Sequence, residues 1–376
     1  MKKTKTTLYY KQNVELTEKT TKFLVPKVTL KDPHHAKVFY NPVMEFSRSI
    51  SSAILQIATE KLTDKLQLLD GYTGLGIRGM RYAKEIKKIK HTTYVDANDD
   101  AIPYINENLK LNKLIKKSTV IHDDINKAIT NSERFDIIEL DPFGTPVFAL
   151  ENSIRRTNKT AIISVTATDM ANLCGANAEA CLRLYDAKAH NCEICHEIAI
   201  RILIGKLARI AAQYDKHITP VASWFDGHYC KTICLVERHV PKTNAMLNEQ
   251  IGYVYYCGQC LERGFSKLPT KCTCGKSSYA GKLWTGPLGD AHTLREATKI
   301  VEGEEKEFLQ ELLNENHFTQ LHYQLHEVTR KTKKATPKFE TFLAKLRAAG
   351  YDTVKSHYAP IAFKTNATLA EIEKLL

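Results

Sequence analysis

Asp141-Pro142-Phe143-Gly144 sets an acid, a rigid residue, an aromatic ring and a glycine in succession. A carboxylate such as Asp141 can accept a hydrogen from an amine and take the proton that a reaction releases. Proline fixes its own φ and restricts the residue before it, so the turn is stiff and the acid is aimed. Phe143 can stack on a planar base, and Gly144 lets that base approach. An exocyclic base amine needs such help, because its lone pair is delocalised into the ring. An acceptor on its hydrogens localises the pair. The same four residues would also make an ordinary β-turn. Their context argues for more: Phe135–Leu140 is nearly all apolar and runs straight into Asp141. Ligands of parallel sheets bind at the carboxyl ends of strands.

A second constellation lies upstream. Leu68-Leu69-Asp70-Gly71-Tyr72-Thr73-Gly74-Leu75-Gly76-Ile77-Arg78-Gly79 is a strand, a glycine-rich turn and a helix start. Gly74, Gly76 and Gly79 fit the nucleotide-binding G-x-G-x-x-G pattern. Alone it fits a nicotinamide cofactor, S-adenosylmethionine or a plain tight turn. Asp70 precedes the glycines and would repel a pyrophosphate, whereas it suits the sulfonium and ammonium of S-adenosylmethionine. Asp96 ends the next strand, 26 residues after Asp70 (96 − 70), where an acid can bind ribose hydroxyls. Asp123 and Asp124 follow the third strand, where a carboxylate can accept from the adenine amine.

Cys257-Gly258-Gln259-Cys260 and Cys272-Thr273-Cys274 make C-x-x-C, eleven residues and C-x-C. Gly258 and Gly275 suit tight knuckle turns, and four thiolates complete a closed structural zinc site. Cys192-Glu193-Ile194-Cys195-His196 spells a haem attachment motif. It leads into a helical run and follows no secretion signal, so its thiols are expected to face the core. Cys174, Cys181, Cys230 and Cys234 read as small buried side chains. Arg330, Lys331, Lys333 and Lys334 are the densest basic stretch. Such a run is either a solvated helix end or a grip on nucleic-acid phosphates.

The elements that must position these residues follow from periodicity. Strands at Leu66–Asp70, Thr92–Asp96, Thr119–His122, Phe135–Leu140 and Ala161–Val165 alternate with helical stretches such as Gly79–Ile86 and Ala101–Leu111. A long helix covers Ile198–Tyr214, and a hairpin turns at Phe225-Asp226-Gly227-His228. The expected fold is therefore α/β: a Rossmann-like domain with a mostly parallel sheet and an antiparallel edge hairpin. The apolar pattern lapses at Arg238–Asn248. The expected division is an N-terminal set of strands or an arm over 1–40, the sheet domain over 41–238, and a smaller mixed C-terminal domain over 239–376. The last would hold the zinc knuckle in 251–285. The chain has 376 residues and is 43% hydrophobic, ample for a full core. Its net charge is +12 (54 − 42), as for an enzyme that meets a polyanion. The basic N-terminus is followed by no apolar signal-peptide core, and no run is long enough to span a bilayer. A cytoplasmic monomer with no membrane partner is expected.

Asp141-Pro142-Phe143 resembles the Asp/Asn-Pro-Pro-aromatic motif of amino-methyltransferases. The whole chain resembles the archaeal and eukaryotic tRNA guanine-26 N2-dimethyltransferases. The residues that carry the likeness include Val38-Phe39-Tyr40-Asn41-Pro42, Thr73–Gly79, Asp141–Gly144 and Val165-Thr166-Ala167-Thr168-Asp169. They continue through Leu173-Cys174-Gly175, His196-Glu197, Ile200–Leu203, Ser356-His357-Tyr358 and Lys364-Thr365-Asn366. The resemblance implies an S-adenosylmethionine-dependent methyltransferase domain and a tRNA partner. It implies Asp141 as the catalytic acid, and Phe143 with Phe39 as holders of the guanine. It further implies Arg48 and Arg78 near the cofactor, Asp96 at its ribose, and Asp123, Asp124 and the Ile125 backbone at its adenine. Ser47-Arg48-Ser49 and Gly71-Tyr72-Thr73 depart from the Asn-Arg-Asp and Ala-Ser/Leu-Ala/Ser common in the family. The alternatives are an amino-methyltransferase of another base or RNA, a zinc-stabilised RNA-binding protein with an inert cofactor fold, and a nicotinamide dehydrogenase.

Overall fold

The computed structural model describes residues 13–32 and 36–376. Residues 1–12 of the expected N-terminal strands or arm lie outside the described residues. By packing, the chain forms two compact units, one running to Pro142 and taking up again over Phe148–Val165, the other comprising Phe143–Val147 and Thr166–Leu376.

The first unit opens with an antiparallel hairpin of β1 (Asn13–Glu18) and β2 (Thr21–Pro26). Then come α1 (Met44–Ala58), β3 (Leu66–Gly71), α2 (Ile77–Glu85), β4 (Ile89–Asp96), α3 (Ala101–Leu111), β5 (Ser118–His122), α4 (Ile125–Asn131), β6 (Phe135–Leu140), α5 (Val147–Arg156) and β7 (Thr157–Ala167), of which Val147, Thr166 and Ala167 belong to the second unit. The five strands β3 to β7 are parallel in the order β5-β4-β3-β6-β7. β6 is buried throughout, as its apolar run requires. The order reverses between β3 and β6, which makes the carboxyl ends of these two strands the crevice where such sheets hold ligands.

The N-terminal hairpin packs into this unit's core: Phe23 and Val25 of β2 are fully buried with Leu75, Ile77, Met80, Tyr94 and Ile105. Burying one such side chain contributes about 1.5–3 kcal/mol. Asn108 of α3, itself buried, accepts from the Leu24 amide at 2.7 Å and donates to the Leu75 carbonyl at 3.0 Å. One side chain thus ties the hairpin to the glycine-rich turn.

The second unit contains α6 (Met170–Leu173), α7 (Ala178–Tyr185), α8 (Cys195–Ala212) and the antiparallel hairpin β8 (Lys216–Asp226) and β9 (Tyr229–Arg238). Lys231 of β9 donates to Thr166 at the end of β7 at 2.9 Å. The chain continues with α9 (Val240–Gln250), β10 (Ile251–Tyr256), β11 (Arg263–Ser266), β12 (Ser278–Trp284), α10 (Ala291–Ala297) and α11 (Gly303–Glu315). It ends with β13 (Tyr323–Gln324), α12 (Leu325–Thr332), α13 (Phe339–Ala348), β14 (Thr353–Ser356), β15 (Ala362–Thr365) and α14 (Leu369–Leu375). β10 is central to one three-stranded antiparallel sheet and β15 to another. α8 and the β8–β9 hairpin group with the residues after 238, the second unit taking up at Thr166. The reason is packing: α8 is buried along most of its length, and a Cβ on Gly205 would lie 2.9 Å from the Leu283 Cα and the Trp284 nitrogen of β12.

The late motif residues, whose spacing carries no evident role, belong to a buried charge network in this unit. Glu197 is fully buried and accepts from Arg201 at 2.8 Å, Lys364 at 3.1 Å and the His322 Nδ1 at 2.8 Å. Glu315 accepts from the His357 Nδ1 at 2.7 Å, the His357 amide at 2.8 Å and the Ser356 hydroxyl at 2.8 Å. Burial alone would raise the Glu197 carboxyl, but Lys364, Arg201 and His322 hold it well below the carboxylate range. A depressed folded pKa stabilises above the unfolded value, and that stability is lost as pH falls through the folded one. Glu197→Gln leaves two cations buried without their anion. It is expected to lower unfolding free energy by about 3–5 kcal/mol in urea titration and to diminish the loss of stability on acidification. Unchanged urea stability would contradict the network's role.

Candidate functional site

The carboxyl ends of β3 and β6 carry a concentration of acid. Asp70 pairs in register with Glu139, and Asp141 follows two residues later. Glu139 is fully buried, Asp70 nearly so, and the Asp141 side chain is 26% exposed. The cation that meets them is Arg78 from the first turn of α2. Its Nη2 and Nε donate to the Asp141 Oδ2 at 2.6 and 3.1 Å, and Nε lies 3.8 Å from the Glu139 Oε1. The Tyr82 hydroxyl, one helical turn on, donates to Glu139 at 3.1 Å. Burial works against the Arg78 charge, but Asp141, Tyr82 and Glu139 hold its pKa above the ordinary range. The Asp70 carboxyl is pushed up to about 7, chiefly by burial, with the Thr73 hydroxyl bond opposing and the Glu139 charge adding to the rise. Three carboxylates facing one guanidinium leave a site that favours a positively charged ligand.

Glu139 and Tyr82 are absent from the sequence reading. A signal for Glu139 existed: an acid inside a buried strand, like Asp136 in the same strand, must be paired. Tyr82 could not be found that way, because its helix spacing to Arg78 is shared by many surface pairs.

The glycine turn is built around these acids. Gly74 and Gly76 have φ of +56° and +78°. Asp96 secures the turn: its Oδ2 accepts from the Gly74 amide at 2.7 Å and its Oδ1 from the Asn98 amide at 2.9 Å. Asp70 accepts from the Thr73 hydroxyl and from the Gly79 amide at 3.1 Å. A Cβ on Gly79 would lie 2.6 Å from the Asp70 Oδ2 and 2.7 Å from a Tyr94 ring carbon, so the third glycine is there for close strand–helix packing. After β5, Asp124 caps α4 by accepting from the Asn126 and Lys127 amides, and Asp123 accepts from the Asp124 amide. Ile125 is buried over Gly71. Burial, with the Asp124 charge behind it, raises the Tyr72 hydroxyl above its ordinary range.

Two residues stand in other settings. Arg48 is engaged with Glu18 of β1 through Nε at 2.8 Å and Nη2 at 2.5 Å, and Tyr40 donates to the same acid at 3.1 Å. Its evident work is to hold the hairpin. Phe39 precedes Tyr40 in a loop and is half-buried.

In the second unit, Phe143 is 72% exposed and Gly144 has φ of +81°. The Gly144 amide donates to the Thr168 hydroxyl at 2.6 Å, and its carbonyl accepts from the Thr168 amide at 3.0 Å. Thr145 donates to the Tyr185 hydroxyl, which donates to Asp169 at 2.7 Å. The Thr168-Asp169 pair thus clamps the loop that presents Phe143.

The four knuckle cysteines converge, with ligand atoms all within 4.8 Å of one another. The Cys257–Cys274, Cys272–Cys274 and Cys260–Cys274 sulfur separations are 3.4, 3.2 and 3.6 Å. Tetrahedral zinc with bonds near 2.3 Å spaces its sulfurs by about 3.8 Å, so the set fits that ion with little adjustment. Gly275 has the expected positive φ of +73°, but the other left-handed residue is Leu261, not Gly258. The basic run is partly neutralised. Arg330 pairs with Glu327, Lys331 pairs with Glu373, and Lys334 donates to the Glu373 carbonyl at 3.0 Å. Lys333 caps the end of α12 in a left-handed conformation. Among the described residues, no helix is long and apolar enough to cross a membrane.

The sequence profile of the N2,N2-dimethylguanosine tRNA methyltransferases matches residues 19–376. A tRNA (guanine(26)-N(2))-dimethyltransferase of Methanosphaera stadtmanae is 32% identical over 93% of this chain and 92% of its own. One of Pyrococcus horikoshii is 33% identical over 94% of this chain and 95% of its own. The solved complex of Trm1 from Pyrococcus horikoshii with S-adenosyl-L-methionine superposes with a TM-score of 0.86 at 30% identity, covering 96% of this chain and 99% of that one.

Proposed function

The chain belongs to the N2,N2-dimethylguanosine tRNA methyltransferase family, and on that premise we propose that it methylates the exocyclic N2 amine of guanine 26 in tRNA, once and then again. The observation that carries the chemistry is the crowding of Asp70, Glu139 and Asp141 around one arginine. Asp70 and the Gly74–Gly76 turn would hold S-adenosylmethionine by its charged end, Asp96 its ribose, and Asp123, Asp124 and Ile125 its adenine. The cofactor supplies an already activated methyl group.

The protein's own work is positioning. Arg78 anchors Asp141 through one oxygen, which orients the carboxylate as acceptor for the amine hydrogens. Asp141 holds the amine lone pair toward the donor and receives the proton that the amine loses. Phe143, one rigid residue from Asp141 in the chain and widely exposed, stacks on the guanine once it leaves its helix, and Phe39 is the other aromatic residue assigned to the base. The Cys257, Cys260, Cys272 and Cys274 set holds a structural zinc ion. Arg330, Lys331, Lys333 and Lys334 grip tRNA phosphates, since exposed ion pairs such as Arg330–Glu327 are worth little and can be exchanged.

Incubation with unmodified tRNA and S-adenosylmethionine, followed by nucleoside mass spectrometry, is expected to yield N2,N2-dimethylguanosine at position 26. Asp141→Asn should keep cofactor binding and lose at least about a hundredfold in single-turnover rate. Phe143→Ala should slow the same step at unchanged tRNA affinity, and methylation of another base would refute the assignment. Cofactor affinity, measured by calorimetry, should rise about tenfold from about pH 6 to about pH 8, because ionised Asp70 favours the cationic ligand. Asp70→Asn should flatten that profile, and a wild-type affinity independent of pH would remove the role given to Asp70. The purified chain should hold zinc that Cys260→Ser loses, and an equal zinc content in both would sink the knuckle. Finally, log tRNA affinity should fall with log salt, less steeply in a Lys331/Lys333/Lys334 triple alanine. An identical slope would dispose of the phosphate grip.

A further inference from the structure

The Cys192-x-x-Cys195-His196 segment is not a buried apolar filler. Cys181, Cys230 and Cys234 are buried as expected, but Cys174, Cys192 and Cys195 are only partly so. The Cys174 and Cys195 sulfurs and a ring nitrogen of His196 all lie within 4.8 Å of one another. We propose that Cys174, Cys195 and His196 form a second metal site, apart from the four-cysteine knuckle, that takes a zinc-class divalent cation.

The framework around the three donors is specific. Cys195 and His196 open α8, and Cys174 closes the short α6 turn, its amide donating to the Met170 carbonyl at 2.8 Å. Gly175 then lets the α6 loop press on the segment leading to Cys195. It has φ of +86°, and a Cβ there would lie 2.6 Å from the Asn191 nitrogen and 2.8 Å from the His190 carbonyl carbon. No side chain fits at that approach, and the approach is what brings Cys174 to Cys195.

The imidazole is held as a ligand needs to be. Its Nδ1 lies 3.1 Å from the Tyr358 carbonyl oxygen, which can only accept, so Nδ1 carries the proton and Nε2 keeps its lone pair. The ring also stacks on Phe225, with centroids 3.9 Å apart and planes 9° from parallel. A metal-binding histidine characteristically gives its other N–H to such a carbonyl, which sets tautomer and orientation. Two sulfurs and one imidazole form a soft-to-borderline set that suits zinc or cobalt and leaves the fourth position for water. Binding forms two sulfur–metal bonds and one nitrogen–metal bond and releases two thiol protons to solvent, with no change of oxidation state. Two thiolates cancel the dication, so the half-buried site stays neutral. Cys192 lies outside the set of mutually close donors and is not assigned a bond.

The test is metal content of the full chain, stripped with chelator under reductant and reloaded with zinc or cobalt. Cys174→Ser and Cys195→Ser should each hold about one equivalent less than wild type, while Cys192→Ser holds as much as wild type. His196→Gln keeps both sulfurs and should weaken the lost equivalent at least about tenfold. Circular dichroism checks that each variant folds. In the cobalt form, thiolate charge-transfer absorbance should fall in Cys174→Ser by the share of two sulfurs. Cys260→Ser, which attacks the knuckle alone, should leave the Cys174-dependent equivalent in place, so the two sites stand or fall separately. Wild-type metal content in both Cys174→Ser and Cys195→Ser overturns the proposal. So does an unreduced chain about 2 Da lighter that binds no metal at these residues, since that is a disulfide.

Discussion

Everything at the candidate site depends on one imbalance of charge. β3 and β6 each carry an acid as their next-to-last residue, and parallel pairing puts Asp70 beside Glu139 with Asp141 just beyond β6. Carboxylates brought together out of water raise one another's pKa unless a cation intervenes. Arg78 intervenes, but it is one charge, and its short bonds go to Asp141. What remains is a negative crevice lined by glycines, and a sulfonium cofactor with an ammonium tail answers it better than a phosphate-bearing one.

The surrounding structure can be understood as keeping that arrangement in place. Asp96 holds the glycine turn by the Gly74 amide, and Gly79 lets α2 sit close enough for its amide to reach Asp70. Asn108 binds the turn to the N-terminal hairpin, and Arg48 binds that hairpin to α1 through Glu18. Arg48 thereby matters to the site by way of the core. In the second unit, Thr168 and Asp169 restrain the loop that carries Phe143, while Glu197 and Glu315 gather the distant late-motif residues into one buried network. Such networks stabilise little beyond an apolar equivalent, but they penalise the loss of any one member severely.

The cysteines separate by placement into four kinds. Four converge as a knuckle set, Cys181, Cys230 and Cys234 are buried, and the partly buried Cys192 joins no cluster among the described residues. Cys174 and Cys195 meet His196 at the start of α8. Spacing in the chain distinguishes the first kind well. It misdirects for the last, because C-x-x-C-H suggests its two own cysteines, whereas the partner that Cys195 meets is Cys174, brought from another loop by the bare approach of Gly175.

Strand and helix periods, the glycine turn, Asp141-Pro142-Phe143-Gly144 and the knuckle spacing were all readable from residue order, because each depends on neighbours within one or two turns of chain. The parallel strands, α8 and the β8–β9 hairpin stand where those periods put them. The helices α4 and α5 are not among the stretches that those periods single out and are seen only in the fold. Arg78 with Asp141, Glu139 beneath them, Arg48 turned to Glu18, and Lys364 on Glu197 were decided by tertiary structure alone. The physical reason is that a charged side chain buried in a fold takes whichever opposite charge the topology delivers. That choice is made across sequence separations of 30 to 167 residues, which no local pattern records.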